Sequence, residues 1–489
     1  MIARDIVFNI AGRVIPAIIT FASVPIYLSY VGEKQYALIG LLVTIQSIFL
    51  LLDGGFSSGY LRRVAEFSVS KKNSNRLSNL TVSVELIFLL ISSMIFLLIY
   101  FSSNWLAINW LKSNKDELIV VAEALGIMAA VVAVRFLILP YYACLKGFSK
   151  FDWINTLNVA SALGKTCLAI LALEFYSSGV VYILIAFLIV YIFELLVIRY
   201  LVFFLVPYKY ISITSGFNEV FKIKKFIGGM ALISLFSAFL SQLDKVVVSS
   251  LLPLEVFSYY SMAALLATIP LIISTPIAGA IYPKLVQSVS KKSKEVELQY
   301  LYGAKYIAVL VFPICTTILL NSEFILYLWT QNESVMLHGR GPLSALIVAN
   351  TILSIMSMPY FMSLSYGDTA IPIKTNLVAI IVSMPAFYYL GSNYGAIGIS
   401  FGWLIINLIF ILIYTVMIRS NGYLSKACIW EWVVNVNLKS LVVSLLFAKF
   451  MKELLALMNN ITLQVMVILV LFLINVFSCY KLVKNKSEL

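Results

Sequence analysis

The chain is 489 residues long, 62% hydrophobic and only 12% charged, with a mean hydropathy of +0.99, a composition that excludes an ordinary soluble globule. Its formal net charge of +13 is scattered over many short polar segments instead of being gathered on one domain, which argues against nucleic-acid binding as its cause.

An apolar core about 30 Å thick needs roughly 20 helical residues per crossing. The chain offers about fourteen such runs, near 6–30, 37–66, 77–101, 117–146, 151–175, 180–206, 222–251, 256–287, 298–330, 342–367, 370–391, 395–420, 433–457 and 461–482. They are continuous apolar stretches, not short alternating strands, so the chain reads as an all-α polytopic membrane protein and not a β-barrel. The first run carries Arg13, Pro16 and Pro25, and no small-residue cleavage site follows it; it reads as a retained span and not a signal peptide. With the N-terminus placed in the cytoplasm, 21 Lys and Arg fall in cytoplasmic segments and 6 in outward ones, which puts both termini in the cytoplasm. Trp105, Trp110, Trp430 and Trp432 sit at span ends as candidates for the interfacial aromatic belt.

Nine ionisable residues stranded inside these apolar runs stand out: Arg13, Asp53, Glu85, Arg135, Lys165, Asp244, Lys245, Lys305 and Lys374, six of them cationic. Each would cost about 2.5 to 3.5 kcal/mol at a lipid-facing central position, so they are expected to face protein or water. A mainly cationic interior suits the passage of an anion. Arg135 and Lys165 lie deepest and are favoured as cavity residues. Lys305 and Lys374 lie a few residues inside their spans, where snorkelling to the interface is an equal reading. Asp244 and Lys245 are adjacent, about 100° apart on a helix, and are not expected to face one another. Asp53 precedes Gly54 and Gly55, a pattern expected to break the helix and free backbone groups.

Catalytic signatures are weak. Gly164-Lys165-Thr166 imitates the end of a phosphate-binding loop, but Val159 stands where its first glycine belongs and no strand precedes it. The glycines at 391, 395 and 398 fit a tight turn between two spans better than a dinucleotide fingerprint. The five cysteines lack paired spacing and His338, placed in an outward loop, lacks a ligand partner; no disulfide, metal or cofactor is expected. No outward segment is long enough to carry an enzyme's catalytic residues, so an integral-membrane enzyme is disfavoured.

Internal repetition is more informative. Pro140-Tyr141-Tyr142-Ala143-Cys144-Leu145-Lys146-Gly147 is echoed by Pro359-Tyr360-Phe361-Met362-Ser363-Leu364-Ser365-Tyr366-Gly367, about 219 residues later. Ser178-Gly179-Val180 is echoed by Tyr394-Gly395-Ala396 at a similar offset. Six spans per half make the repeat parallel. The expected organisation is a six-helix lobe over 1–210, a second over 211–425 around a central cavity, and an appended hairpin with cytoplasmic tail over 426–489.

The segment Leu52-Asp53-Gly54-Gly55-Phe56-Ser57-Ser58-Gly59-Tyr60-Leu61-Arg62-Arg63-Val64-Ala65-Glu66 resembles the signature of the O-antigen and polysaccharide flippases, a branch of the multidrug/oligosaccharidyl-lipid/polysaccharide exporter superfamily. Tyr30-Val31-Gly32-Glu33-Lys34-Gln35-Tyr36, Gln242-Leu243-Asp244-Lys245, Glu255-Val256-Phe257-Ser258-Tyr259-Tyr260 and Tyr282-Pro283-Lys284 are similar to further family segments. Phe257 or Ser258 stands where the family often has glycine, and Lys245 where it has a hydrophobic residue.

The resemblance implies alternating-access export of undecaprenyl-pyrophosphate-linked sugar repeats to the outer leaflet of the bacterial inner membrane, without enzymatic activity. It implies membrane lipids and polysaccharide polymerase or chain-length proteins as partners. Arg13, Arg135, Lys165, Lys245, Lys305 and Lys374 would then meet the substrate. Asp53, Glu85 and Asp244 would serve as charge partners or couple transport to H⁺ or Na⁺. A lipid II-type flippase and a cation-coupled multidrug exporter of the same fold are the alternatives, the latter disfavoured by the basic interior.

Overall fold

A computed structural model of the chain describes residues 2–53, 55–68, 74–112, 114–176, 179–206, 212, 214–216, 236, 239–291, 295–458 and 460–483. Apolar segments in hydrocarbon must satisfy their backbone polar groups internally, and the chain does so as helices. In order they are α1 (Ile2–Phe49), a 3₁₀ turn (Leu50–Asp53), α2 (Phe56–Ser68), α3 (Ser74–Trp105), a π segment (Leu106–Trp110), α4 (Lys115–Gly147), α5 (Phe151–Phe175) and α6 (Val180–Leu205). Next come α7 (residues 239–251), α8 (Leu254–Leu266), α9 (Ile269–Ser290), α10 (Val296–Leu320), α11 (Ser322–Thr330), α12 (Glu333–Ile355), α13 (Ser357–Ser365) and α14 (Ala370–Ser420). The chain closes with α15 (Lys426–Trp430), a π segment (Glu431–Leu438), α16 (Lys439–Ala456) and α17 (Ile461–Val483).

Eleven helical stretches among the described residues are long and apolar enough to cross a membrane. Two of them hold two spans each, because Gly32 (φ 71°) interrupts α1 and Gly395 (φ 61°) interrupts α14. Only glycine adopts such angles without strain. The seventh expected span lies mostly outside the described residues, apart from α7. With the two interruptions counted, the described helices account for thirteen of the fourteen expected spans.

The expected turn at 391–398 is thus a kink at Gly395. A Cβ placed on Gly398 would lie 2.2 Å from the Leu390 carbonyl oxygen, on backbone that cannot rotate away. Gly398→Ala is therefore expected to destabilise the protein by about 1–3 kcal/mol, read as a lower unfolding temperature in detergent; an unchanged temperature would contradict this packing.

The chain divides into two compact units, Met1–Ser258 and Tyr259–Leu489. In the first, α4 is the central helix, packed on α1, α2, α3, α5 and α6. Its buried positions include Ala124, Met128, Val131, Ile138 and Leu145, each at most 1% exposed. In the second, α10 holds that place against α9, α12, α16 and α17.

Two local expectations are corrected. His338 lies on helix α12, not in a loop, and stacks on Tyr259 with ring centroids 5.3 Å apart. Trp432 is not a belt residue: it is 2% exposed and packs edge-on against Tyr300, whereas Trp105 and Trp430 are exposed as a belt requires.

Candidate functional site

The helical period gathers a polar cluster in the first unit. Residues four apart, or seven apart, share one face of a helix. Arg135 and Tyr142 accordingly lie on one stripe of α4, Ser161 and Lys165 on one stripe of α5, and Phe187, Tyr191 and Glu194 on one stripe of α6. These three helices pack on one another, so the stripes converge.

Glu194 is the hub. Its Oε1 accepts from Arg135 Nη1 at 2.9 Å and from Tyr142 Oη at 2.7 Å, and its Oε2 accepts from Ser161 Oγ at 2.5 Å. The carboxylate side chain is 3% exposed, the guanidinium side chain 33%. Arg135 lies over two aromatic faces, 5.2 Å from the Tyr191 centroid and 5.9 Å from that of Tyr142. Lys165 donates to Tyr191 Oη at 3.0 Å and sits over the Tyr191 and Phe187 rings at 4.8 and 5.6 Å. Cation–π contacts of this kind hold a cation without neutralising it. Two cations and one carboxylate thus gather around Tyr191, and the cluster keeps a net positive charge with Lys165 free of any ion pair among the described residues. One guanidinium nitrogen of Arg135 serves Glu194, and the side chain as a whole, stem included, is 33% accessible.

The other expected site residues are placed differently. Arg13 lies on α1, but its side chain is outside the described residues. Asp53 closes the 3₁₀ turn and accepts from Ser57 N at 3.1 Å and Ser57 Oγ at 2.6 Å, while Gly55 takes φ 78°. The expected helix break is present, and Asp53 caps the α2 that follows it. Asp53→Ala is expected to cost about 1 kcal/mol of stability, measured by thermal unfolding; no change would remove the capping role.

Glu85 on α3 lies beside Tyr141 of α4, which in turn feels the charge of Arg199 on α6. Asp244 and Lys245 do meet, contrary to expectation: Nζ of Lys245 lies 3.7 Å from the Asp244 carboxylate and 3.3 Å from the Ser241 carbonyl oxygen. The four-carbon lysine stem spans the angular gap that the backbone period imposes. In the second unit, Lys305 is half-buried on α10 between the exposed Tyr302 and Tyr306, whose hydroxyls are 3.0 Å apart. Lys374 on α14 is exposed. The structure therefore brings Arg135 and Lys165 together within the first unit, while Lys305 and Lys374 belong to the second.

Sequence reasoning missed Glu194, Tyr142, Ser161 and Tyr191. Glu194 had a readable signal, as an acid fourteen positions into the 26-residue α6; the others had none, because a tyrosine or serine in an apolar span is ordinary. The repeat sharpens the point. At the offset of 219 that relates Pro140 to Pro359, Arg135 corresponds to Ser354 and Tyr142 to Phe361. At the 216 that relates Val180 to Ala396, Glu194 corresponds to Phe410. At these offsets the second half carries none of Arg135, Tyr142 or Glu194.

Residues 2–289 match the family model described as "Polysaccharide biosynthesis protein". A Shigella flexneri protein named "Putative O-antigen transporter" is 22% identical over 408 residues, covering 82% of this chain and 94% of that protein. Among solved structures, the lipid II flippase MurJ in an inward closed conformation superposes with a TM-score of 0.74 at 18% identity, covering 97% of this chain and 99% of its own. An inward-facing multidrug resistance MATE family transporter of the MOP superfamily gives a TM-score of 0.70 at 16% identity, with 85% and 99% covered. At these identities the structural likeness speaks for the fold, which is that of MurJ and the MATE transporters.

Proposed function

Because the chain belongs to the polysaccharide biosynthesis protein family, we propose that it carries undecaprenyl-pyrophosphate-linked O-antigen or related sugar repeats from the cytoplasmic to the periplasmic leaflet of the bacterial inner membrane by alternating access. The observation that carries this reading is that Arg135 and Lys165, on neighbouring helices, both lie over the ring of Tyr191, with Glu194 paired to Arg135. A pyrophosphate head bearing sugars cannot cross hydrocarbon unaided, since each unsatisfied polar group and each charge is costly there. Arginine offers such a head bidentate, charge-assisted hydrogen bonds and lysine offers a point charge. The aromatic faces beside both cations hold them without consuming their charge. Similarity to a protein named for O-antigen transport supports the sugar repeat as cargo.

Both termini are cytoplasmic on this reading, by the asymmetry of Lys and Arg between loops. The membrane potential favours outward movement of each negative charge by about 2.3 kcal/mol per 100 mV, so the potential suffices as a drive. H⁺ or Na⁺ coupling through Asp53, Glu85 or Asp244 is the alternative; transport that survives collapse of the ion gradient but not of the potential would exclude it.

A deletion strain is expected to accumulate untranslocated lipid-linked repeat, and the intact chain to clear it. No accumulation would refute the reading. Rescue of a strain depleted of its lipid II flippase, without effect on surface polysaccharide, would instead favour a lipid II cargo, which shares the polyprenyl pyrophosphate. Altered drug susceptibility alone would favour multidrug export.

A further inference from the structure

The site carries a negative charge that a phosphate-binding site does not need. Glu194 is nearly fully buried on α6 and receives three donors, one of them the guanidinium that should meet the substrate. Removing a carboxylate from water is expensive, so this placement calls for a reason. The Arg135 side chain, unlike that of Glu194, keeps about a third of its surface accessible. At the sequence offset that relates Val180 to Ala396, Phe410 stands in the place of Glu194, so the repeat in the sequence does not carry the carboxylate.

We propose that Glu194 is a resident counter-anion that competes with the substrate's pyrophosphate for Arg135. With the site empty, Glu194 holds the guanidinium against Tyr142 and Tyr191, and the cluster presents only the charge of Lys165. An arriving pyrophosphate first meets Lys165 and then draws Arg135 away from Glu194. Tyr142 and Ser161 keep donating to the released carboxylate, so the exchange strands no buried charge without a hydrogen bond. On release the carboxylate retakes Arg135 and helps to expel the head group. Glu194 acts through Arg135 and is a positioning residue for turnover. Affinity is thereby held down so that cargo can leave, as transport requires of any site that must be both entered and vacated. The inference rests on the substrate class proposed above.

The test uses the full chain in nanodiscs with undecaprenyl pyrophosphate as the probe, and proteoliposomes for turnover. Glu194→Gln keeps the size of the side chain and an acceptor for Tyr142 or Ser161 but removes the competing charge. It is expected to bind the probe about tenfold more tightly, the scale of one charge-assisted hydrogen bond, and to turn over about tenfold more slowly. Tyr142→Phe and Ser161→Ala each leave Glu194 with fewer donors and a stronger hold on Arg135, so both are expected to weaken probe binding. A purely structural role would move all three variants in one direction, and that result would overturn the proposal. So would unchanged or weaker binding by Glu194→Gln. Should that variant fail to fold, weaker binding by both hydroxyl variants with unaltered unfolding temperatures supports the proposal, and unchanged or tighter binding by them overturns it. Failure of the wild-type protein to bind the probe at all would refute the substrate class itself, and the counter-anion role with it.

Discussion

Arg135→Ala is expected to abolish export and to destabilise the protein at once. The stability loss has a specific source. Glu194 is 3% exposed and its charge is met by one cation at 2.9 Å; without the guanidinium, Tyr142 and Ser161 still donate to it, but no charge compensates it. Breaking a buried pair by removing one partner costs about 3–5 kcal/mol, and the partial exposure of Arg135 puts the expected value near the lower end. Thermal unfolding in detergent reads that term. Export reads the other: lipid-linked repeat should accumulate in cells carrying Arg135→Ala as it does in the deletion strain.

The two effects separate in a double-mutant cycle. Glu194→Ala in the Arg135→Ala background removes the uncompensated carboxylate and should restore much of the stability while leaving export absent. If the double variant is no more stable than Arg135→Ala, the ion pair is not what the single change disrupts. If Arg135→Ala exports normally at wild-type abundance, the guanidinium does not meet the cargo.

How much of this was legible in the sequence differs between fold and site. Hydrocarbon imposes one solution on the backbone, so apolar run length alone located most spans. Even the kinks at Gly32 and Gly395 were marked, since each falls between two runs whose combined length exceeds one crossing. The site was legible only in its charges. Arg135 and Lys165 stood out because a cation in an apolar run is costly wherever it faces lipid, but the sequence could not say what each one touches. That depends on which stripes of α4, α5 and α6 converge, a tertiary fact that periodicity within one helix does not contain. The partners are therefore the blind spot: Tyr142, Ser161 and Tyr191 look like packing residues until α4, α5 and α6 are side by side. Asp53 was legible in part: the helix break that Gly54 and Gly55 signalled is present, but the contact of its carboxylate with Ser57 at the start of α2 is a local detail that run length does not contain. The Asp244–Lys245 contact is invisible to the helix period alone, because it depends on the reach of the lysine stem.

Lys165→Ala should have the same effect on export as Arg135→Ala and the opposite effect on stability. Lys165 makes no ion pair among the described residues; its ammonium group rests on Tyr191 and Phe187 and donates to one hydroxyl. A half-buried cation held in this way owes its cost to desolvation, and the cation–π contacts offset about 1–2 kcal/mol of it. Removing the side chain relieves that cost and strands no partner carboxylate, so the unfolding temperature should stay level or rise. Export should nevertheless be lost, because Glu194 neutralises Arg135 in the empty site and Lys165 is then the charge that attracts an incoming pyrophosphate. Lys165→Arg keeps the charge but needs more room beneath Tyr191, and should restore part of the activity, whereas Lys165→Gln should restore none. Surface polysaccharide and accumulated lipid-linked repeat, measured in the same strains, decide between these outcomes. Full activity with Lys165→Gln would show that the charge is dispensable and that the cluster serves the packing of α4, α5 and α6 instead of the cargo. A stable, folded and inactive Lys165→Ala beside an unstable and inactive Arg135→Ala is the pattern that only an anion-binding site with one internally neutralised cation produces.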